Sequence, residues 1–273
     1  MTRSMRRTRR VLRPAGTGAA ALLALSACSS STHSSGAASD TSGPASSKPS
    51  GTVTVFAAAS LQESFTTLGK EFERRHPGTK VRFNFGGSDT LAASITSGAP
   101  ADVFAAASPK TMATVTDAGD AAGTPATFVR NQLEIATLPG NPGKVASLKD
   151  LARPGLKVVL CDKTVPCGAA AQKALDAAHL TLTPVSYEQD VKSALNKVEL
   201  KEADAAVVYK TDVHTAGDKV EGVEFPESAE AVNDYPIALL KNSENAGAAK
   251  AFIALVRSAE GQKVLGGAGF LKP

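Results

Sequence analysis

From residue 52 to the C-terminus the chain alternates short runs rich in β-branched and aromatic residues with longer amphipathic stretches, and this alternation narrows the fold more than any other feature. A parallel partner strand can be reached only through a crossover, so repeated strand–helix units give an α/β fold with mixed, mostly parallel sheets flanked by helices. Candidate strands are 53–56, 81–85, 102–105, 133–137, 157–160, 205–208, 220–225 and 237–240. The intervening helices carry legible ends. Ser60-Leu61-Gln62-Glu63 has the form of a capping box opening a helix that runs to about Arg75, where His76-Pro77-Gly78 stops it. Further helices are expected over 90–97, 109–118, 169–178, 188–200, 245–257 and 260–265. About 220 folded residues with this many strands strain a single sheet, so two lobes joined by a hinge are expected. Residues 52–130 with 235–273 make the first lobe and 131–234 the second, with crossings at the loop around Arg130 and at Asn233-Asp234.

The N-terminus belongs to export. Residues 1–28 combine six arginines, an apolar stretch from Ala19 to Leu25 and the small-residue run Leu25-Ser26-Ala27 before Cys28. That stretch is too short for a permanent span, and small residues before a cysteine suit cleavage followed by lipidation. The mature protein is therefore expected to begin at Cys28, lipid-anchored to the outer face of the cell membrane. Thr8-Arg9-Arg10-Val11-Leu12 is a weak twin-arginine pattern, since clustered arginines also open ordinary export signals; the ordinary route is expected, and both lead outside. Residues 29–51, rich in Ser, Gly, Ala, Thr and Pro, lack the apolar surface to fold and form a tether.

The signal also explains the charge. The whole chain has 30 Lys+Arg against 26 Asp+Glu, but residues 1–28 hold six arginines and no acid, leaving 24 against 26. With its basic excess removed, the mature chain gives no electrostatic reason to bind nucleic acid. The same accounting applies to cysteine. Once Cys28 is assigned to lipid, Cys161 and Cys167 remain, and an oxidising compartment favours a disulfide between them over two buried thiols.

Three turns share a character that points to a ligand. Ala57-Ala58-Ala59-Ser60 and Gly86-Gly87-Ser88-Asp89-Thr90 each follow a strand and open a helix, and Val165-Pro166-Cys167-Gly168 does the same in the second half. Helix starts present unpaired N–H groups and a positive dipole end, so several converging turns hold an anion without a charged side chain. Ser60 and Ser88 each have a plain structural reading as helix caps. Tyr209 has one as a core tyrosine.

Val53-Thr54-Val55-Phe56-Ala57-Ala58-Ala59-Ser60-Leu61, Gly98-Ala99-Pro100-Ala101-Asp102-Val103-Phe104, Val165-Pro166-Cys167-Gly168, Asp190-Val191-Lys192 and Val207-Val208-Tyr209-Lys210-Thr211-Asp212 occur in the order found in the molybdate-binding proteins that feed ABC transporters. Tyr235-Pro236-Ile237 and Gly269-Phe270 continue the match, so residues 52–273 resemble that family. The resemblance implies a two-lobed periplasmic-binding-protein-like fold that takes molybdate or tungstate and needs no cofactor. It implies as partners a permease with its ATPase subunits, approached by a monomeric receptor. It places the oxyanion on the hydroxyls of Ser60, Ser88 and Tyr209 and on the N–H groups of Cys167 and Val191. Molybdenum is then held only through its oxygens, with no direct ligand to the metal. Sulfate or phosphate is the alternative ligand. Where the family often has a serine-rich turn this chain has Asp89, which would repel a dianion or accept a proton if aimed inward, and favour its helix start if aimed outward.

Catalytic readings find little support. No Gly-x-Ser-x-Gly elbow surrounds Ser60, and His33, His76, His179 and His214 have neither metal spacing nor a base partner. Cys161 opens a phosphatase-like loop only up to the expected arginine position, which is Cys167, and redox pairs favour the tighter Cys-x-x-Cys spacing.

Overall fold

A computed structural model describes residues 49–273; the export signal, Cys28 and the tether through residue 48 lie outside the described residues. In chain order the elements are β1 (Gly51–Ala58), a 3-10 turn (Ala59–Leu61), α1 (Gln62–Arg75), β2 (Thr79–Gly86), α2 (Ser88–Thr96), β3 (Val103–Ala105), α3 (Pro109–Asp117), β4 (Ala126–Asn131) and β5 (Leu133–Thr137). After a long connection come β6 (Val158–Cys161), α4 (Pro166–Ala177), β7 (Ser186–Glu188), α5 (Val191–Glu199), β8 (Ala205–Tyr209) and α6 (Lys210–Ala216). The chain closes with β9 (Glu221–Val223), β10 (Asn233–Leu239), α7 (Ala246–Arg257) and α8 (Ala259–Gly267).

Two five-stranded sheets result, ordered β2-β1-β3-β10-β4 and β7-β6-β8-β5-β9. Each has a parallel half, β2-β1-β3 or β7-β6-β8, and an antiparallel half supplied by β10 and β4 or by β5 and β9. The sheets are therefore mixed, with the parallel share lower than the βα alternation implies, because the strands that carry the chain between sheets enter antiparallel. At the expected crossings, Arg130 lies in β4 and pairs with Asp234 in β10, and Asn131 pairs with Asn233. The chain passes between sheets immediately beyond that pairing, at Gln132 and ahead of Asn233.

Packing fixes the helices by their apolar stripes. In α1, Phe65, Leu68 and Phe72 are buried at helical spacing. Phe65 and Phe72 meet Phe252 of α7 edge-on, with ring centroids 5.9 and 5.6 Å apart, and such pairs contribute about 0.5–1.5 kcal/mol beyond burial. In α5, Val191, Ala194, Leu195 and Val198 form the buried stripe, which lies on β6 and β8 and leaves the first turn of α5 against the 3-10 turn of the other half.

Several expected boundaries move. Residues 188–190 are not helical: Glu188 ends β7, and Asp190 caps α5 by accepting the Ser193 N–H at 3.0 Å. Helix α4 begins at Pro166 and not at Ala169, since proline is well suited to a first helical position. Strands β4 and β7 have no counterpart among the expected elements, because β4 is a half-exposed edge strand and β7 is a short polar one. The 220–225 strand shrinks to Glu221–Val223, and α6 is an additional helix.

Candidate oxyanion-binding site

The parallel halves of both sheets end at one cavity, where α/β sheets offer helix starts to ligands. Ser60, Ser88, Cys167, Val191 and Tyr209 all line it, accompanied by the small residues Ala58, Ala59, Gly86, Gly87 and Ala107. Its empty volume, about 220 Å³ including the mouth, is below the ~300–1,000 Å³ of pockets that take drug-sized organic ligands. A small ion suits it better. Ser60 is 5%, Ser88 1% and Tyr209 1% exposed, so hydrogen bonds made here are formed away from bulk water.

The hydroxyls do not serve as helix caps, which corrects the capping reading of both serines. Ser60 stands in the 3-10 turn, α1 starts behind Leu61 with no side-chain cap, and the Ser60 Oγ lies 2.9 Å from the Tyr235 hydroxyl. Ser88 is the first residue of α2, following Gly87, and its Oγ accepts the backbone N–H of Ala107 at 3.0 Å. The Tyr209 oxygen accepts from Asn233 Nδ2 at 2.7 Å. Burial, with the neighbouring Tyr235 adding to it, pushes the Tyr209 phenol well above its ordinary range, and burial also raises Tyr235. Both phenols keep their protons.

Backbone donors come from the other side. Cys167 is the second residue of α4 and Val191 the first of α5, positions whose N–H groups have no acceptor within their own helix. A disulfide joins Cys167 to Cys161 at the end of β6, with the Cα atoms 5.8 Å apart. Closing so short a loop stabilises by about 2 kcal/mol on the chain-entropy model. Beside it, a Cβ on Gly168 would lie 1.9 Å from the Asp162 carbonyl oxygen, so only glycine lets α4 start this close to β6. Gly87 is bare for a similar reason: a Cβ there would stand 2.4 Å from the Gln189 carbonyl of the opposite wall.

Charged side chains stand beside the cavity. Asp190 lines the cavity, but its carboxylate accepts from Ser193 N and Oγ at 3.0 and 2.8 Å. Asp89 sits in the first turn of α2 and is not among the lining residues; its buried Oδ1 lies over Gly87 without a hydrogen-bond partner. Lys192 bridges the two halves, 3.0 Å from Glu63 of α1 and 3.3 Å from Asp212 of α6. Burial opposes its charge, but Asp212 and Glu63 outweigh burial and raise its pKa. Asp212 is fully buried and accepts the Tyr209 N–H at 3.1 Å. Burial pushes its carboxyl up to about 6 despite Lys192. Among the described residues no group of three or more His, Cys, Asp or Glu is arranged to hold a metal ion.

The structure adds Asn131, Asn233 and Tyr235 behind the wall, and Ala107 in it. Asparagine is uncommon inside strands, so Asn131 and Asn233 carried a compositional signal. Their partners, 80 or more residues away in three of the contacts, carried none.

Two mixed sheets facing one small cavity are the architecture of a solute-binding protein. Residues 53–271 match the family model of bacterial extracellular solute-binding proteins, and the chain belongs to that family. It is 45% identical to the molybdate-binding protein ModA of Mycobacterium tuberculosis over 249 residues, covering 91% of this chain and 93% of the relative. Identity to the molybdate-binding protein ModA of Escherichia coli is 33% over 232 residues, 81% of this chain and 89% of that one. The periplasmic molybdate-binding protein of Azotobacter vinelandii shares the fold with a TM-score of 0.71 over 81% of this chain and 99% of its own, at 21% identity.

Proposed function

We propose that this protein captures molybdate, and also tungstate, outside the cell and delivers it to an ABC transporter permease driven by its ATPase subunits. One observation supports the reading: Ser60, Ser88, Tyr209 and the helix-start residues Cys167 and Val191 line one cavity, and Asp190, the carboxylate in that lining, is engaged by Ser193. A fully deprotonated tetrahedral dianion accepts hydrogen bonds and donates none, so a donor wall matches it. Helix starts supply the partial positive charge that a lysine or arginine would otherwise bring. The two halves act as lobes that hinge near Gln132 and Asn233, an open form binding on one wall and the second wall completing the cage. Lipid at Cys28 and the tether hold a monomeric receptor at the outer face of the membrane.

Calorimetric titration with molybdate, tungstate, sulfate and phosphate tests the reading. Molybdate and tungstate should bind tightly, and the smaller sulfate far more weakly because it cannot reach every donor at once. A hydrogen bond to a charged group contributes about 1.5–3 kcal/mol, so Ser60→Ala, Ser88→Ala and Tyr209→Phe should each weaken molybdate by about one to two orders of magnitude. Sulfate competing equally, or three variants binding as tightly as the parent, would contradict it.

A further inference from the structure

We infer that Asn131, Asn233 and Tyr235 set the direction of the hydroxyl protons around the cavity, so that Ser60 and Tyr209 meet a ligand as donors only and an anion still carrying a proton is refused. This rests on the oxyanion reading and assigns a positioning role to residues that do not line the cavity.

The direction follows from groups that have no choice. Asn131 Oδ1 accepts the backbone N–H of Gln132 at 3.0 Å, so its other end is the amino group. That amino group donates to Thr211 Oγ1 at 2.8 Å and to the Tyr235 oxygen at 3.3 Å. Tyr235 is fully buried, with Ser60 Oγ 2.9 Å from its oxygen and the Tyr209 hydroxyl also beside it, and the Tyr209 oxygen is already taken by Asn233 Nδ2 at 2.7 Å. Leaving a buried hydroxyl proton unpaired is costly, so Tyr235 donates to Ser60, and the proton of Ser60 turns to the cavity.

Tyr209 is fixed in the same way. Asn233 Nδ2 lies 3.0 Å from the Ala107 carbonyl and 3.3 Å from the Pro166 carbonyl, which only accept, so it is the amino end that donates to the Tyr209 oxygen. Ser88 receives the backbone N–H of Ala107, a donor that cannot reverse. All three oxygens are thus occupied from behind, and their protons point forward. Asn131 and Asn233 are direct partners in the β4–β10 pairing, so the polarity of two hydroxyls is set where the chain crosses between sheets. A protonated tetrahedral anion needs an acceptor, and these hydroxyls meet it with their protons first.

Selenate and hydrogen arsenate test this, because at mildly alkaline pH they have equal charge and nearly equal size and differ by one proton. Each is titrated against the molybdate-loaded full chain and scored by displacement. The parent should prefer selenate by at least roughly tenfold. Tyr235→Phe keeps the ring but leaves Ser60 Oγ as a free acceptor; molybdate should weaken by about tenfold and the selenate preference should fall by about tenfold. Asn131→Leu, which frees the Tyr235 proton to turn, should lower the preference in the same direction and replaces the first variant should that one not fold. A purely structural role would weaken both anions alike. An unchanged preference in the folded variants, or a parent displaced equally by both anions or by neither, would overturn the inference. A parent that binds no molybdate would instead overturn the functional reading itself.

Discussion

The first sheet lines the cavity with two serines, Ser60 and Ser88, whereas the second lines it with the helix-start residues Cys167 and Val191 and with Tyr209, and in the proposed site the serines act through their hydroxyls and Cys167 and Val191 through their backbone. Both place helix starts at the ends of parallel strands. They differ in what sequence change they tolerate. A hydroxyl donor is lost with its side chain, while a backbone donor survives any residue that keeps its N–H and the local path. The Cys167 side chain is spent on a disulfide, which leaves its backbone N–H available as the proposed donor.

The second half also holds the fully buried Asp212, where the biggest change is expected. Asp212 has a carboxyl pKa raised from 3.8 to about 6 by burial. A raised pKa means the folded state holds the proton more tightly than the unfolded chain. Its contribution is fully present below 3.8 and is lost as pH rises through about 6. Relative to Asp212→Asn, the parent should therefore gain up to about 3 kcal/mol as pH falls across that window, at 1.36 kcal/mol per unit. Urea melts of both proteins between neutral and acidic pH measure it. A parent-minus-variant difference that is flat or opposite in sign would show that Lys192 holds Asp212 ionised throughout.

The contact across the two halves gives a smaller effect. Glu63 is 41% and Lys192 18% exposed in their side chains, and they meet at 3.0 Å. For an ion pair of this exposure the contribution is about 0.2–1 kcal/mol, so Glu63→Gln should weaken molybdate by a few-fold at low salt and less at high salt. Titrations at two ionic strengths decide it, and a loss that does not depend on salt would assign Glu63 a role other than pairing.

What was legible in the sequence follows the same division. Strand Leu133–Thr137 is buried along its length, with Leu133, Ile135 and Ala136 beside the buried polar residues Glu134 and Thr137, and its bounds are those expected. The turns after β1 and β2 announced themselves through small residues before a serine, and those serines do line the cavity. The capping reading of Ser60 failed because local spacing is blind to Tyr235, 175 residues away in sequence, which takes the hydroxyl instead. Helix α4 was placed too late because Val-Pro-Cys-Gly looks like a turn, yet Pro166 opens the helix and Gly168 lets it approach Asp162. The long-range partners of Asn131 and Asn233 follow from strand pairing, which no local pattern encodes.

If the second wall binds through its backbone, Val191 is where that donor can be removed without touching a side chain that binds. Val191 is the first residue of α5, behind the extended Asp190 cap, a position where proline fits the helix while deleting the N–H. Calorimetric titration of molybdate into Val191→Pro and Val191→Ala separates donor from side chain. The proline variant should bind about one to two orders of magnitude more weakly, the loss of a charge-assisted bond of about 1.5–3 kcal/mol, and the alanine variant should stay close to the parent. A folded Val191→Pro protein that binds molybdate as tightly as Val191→Ala would contradict the account.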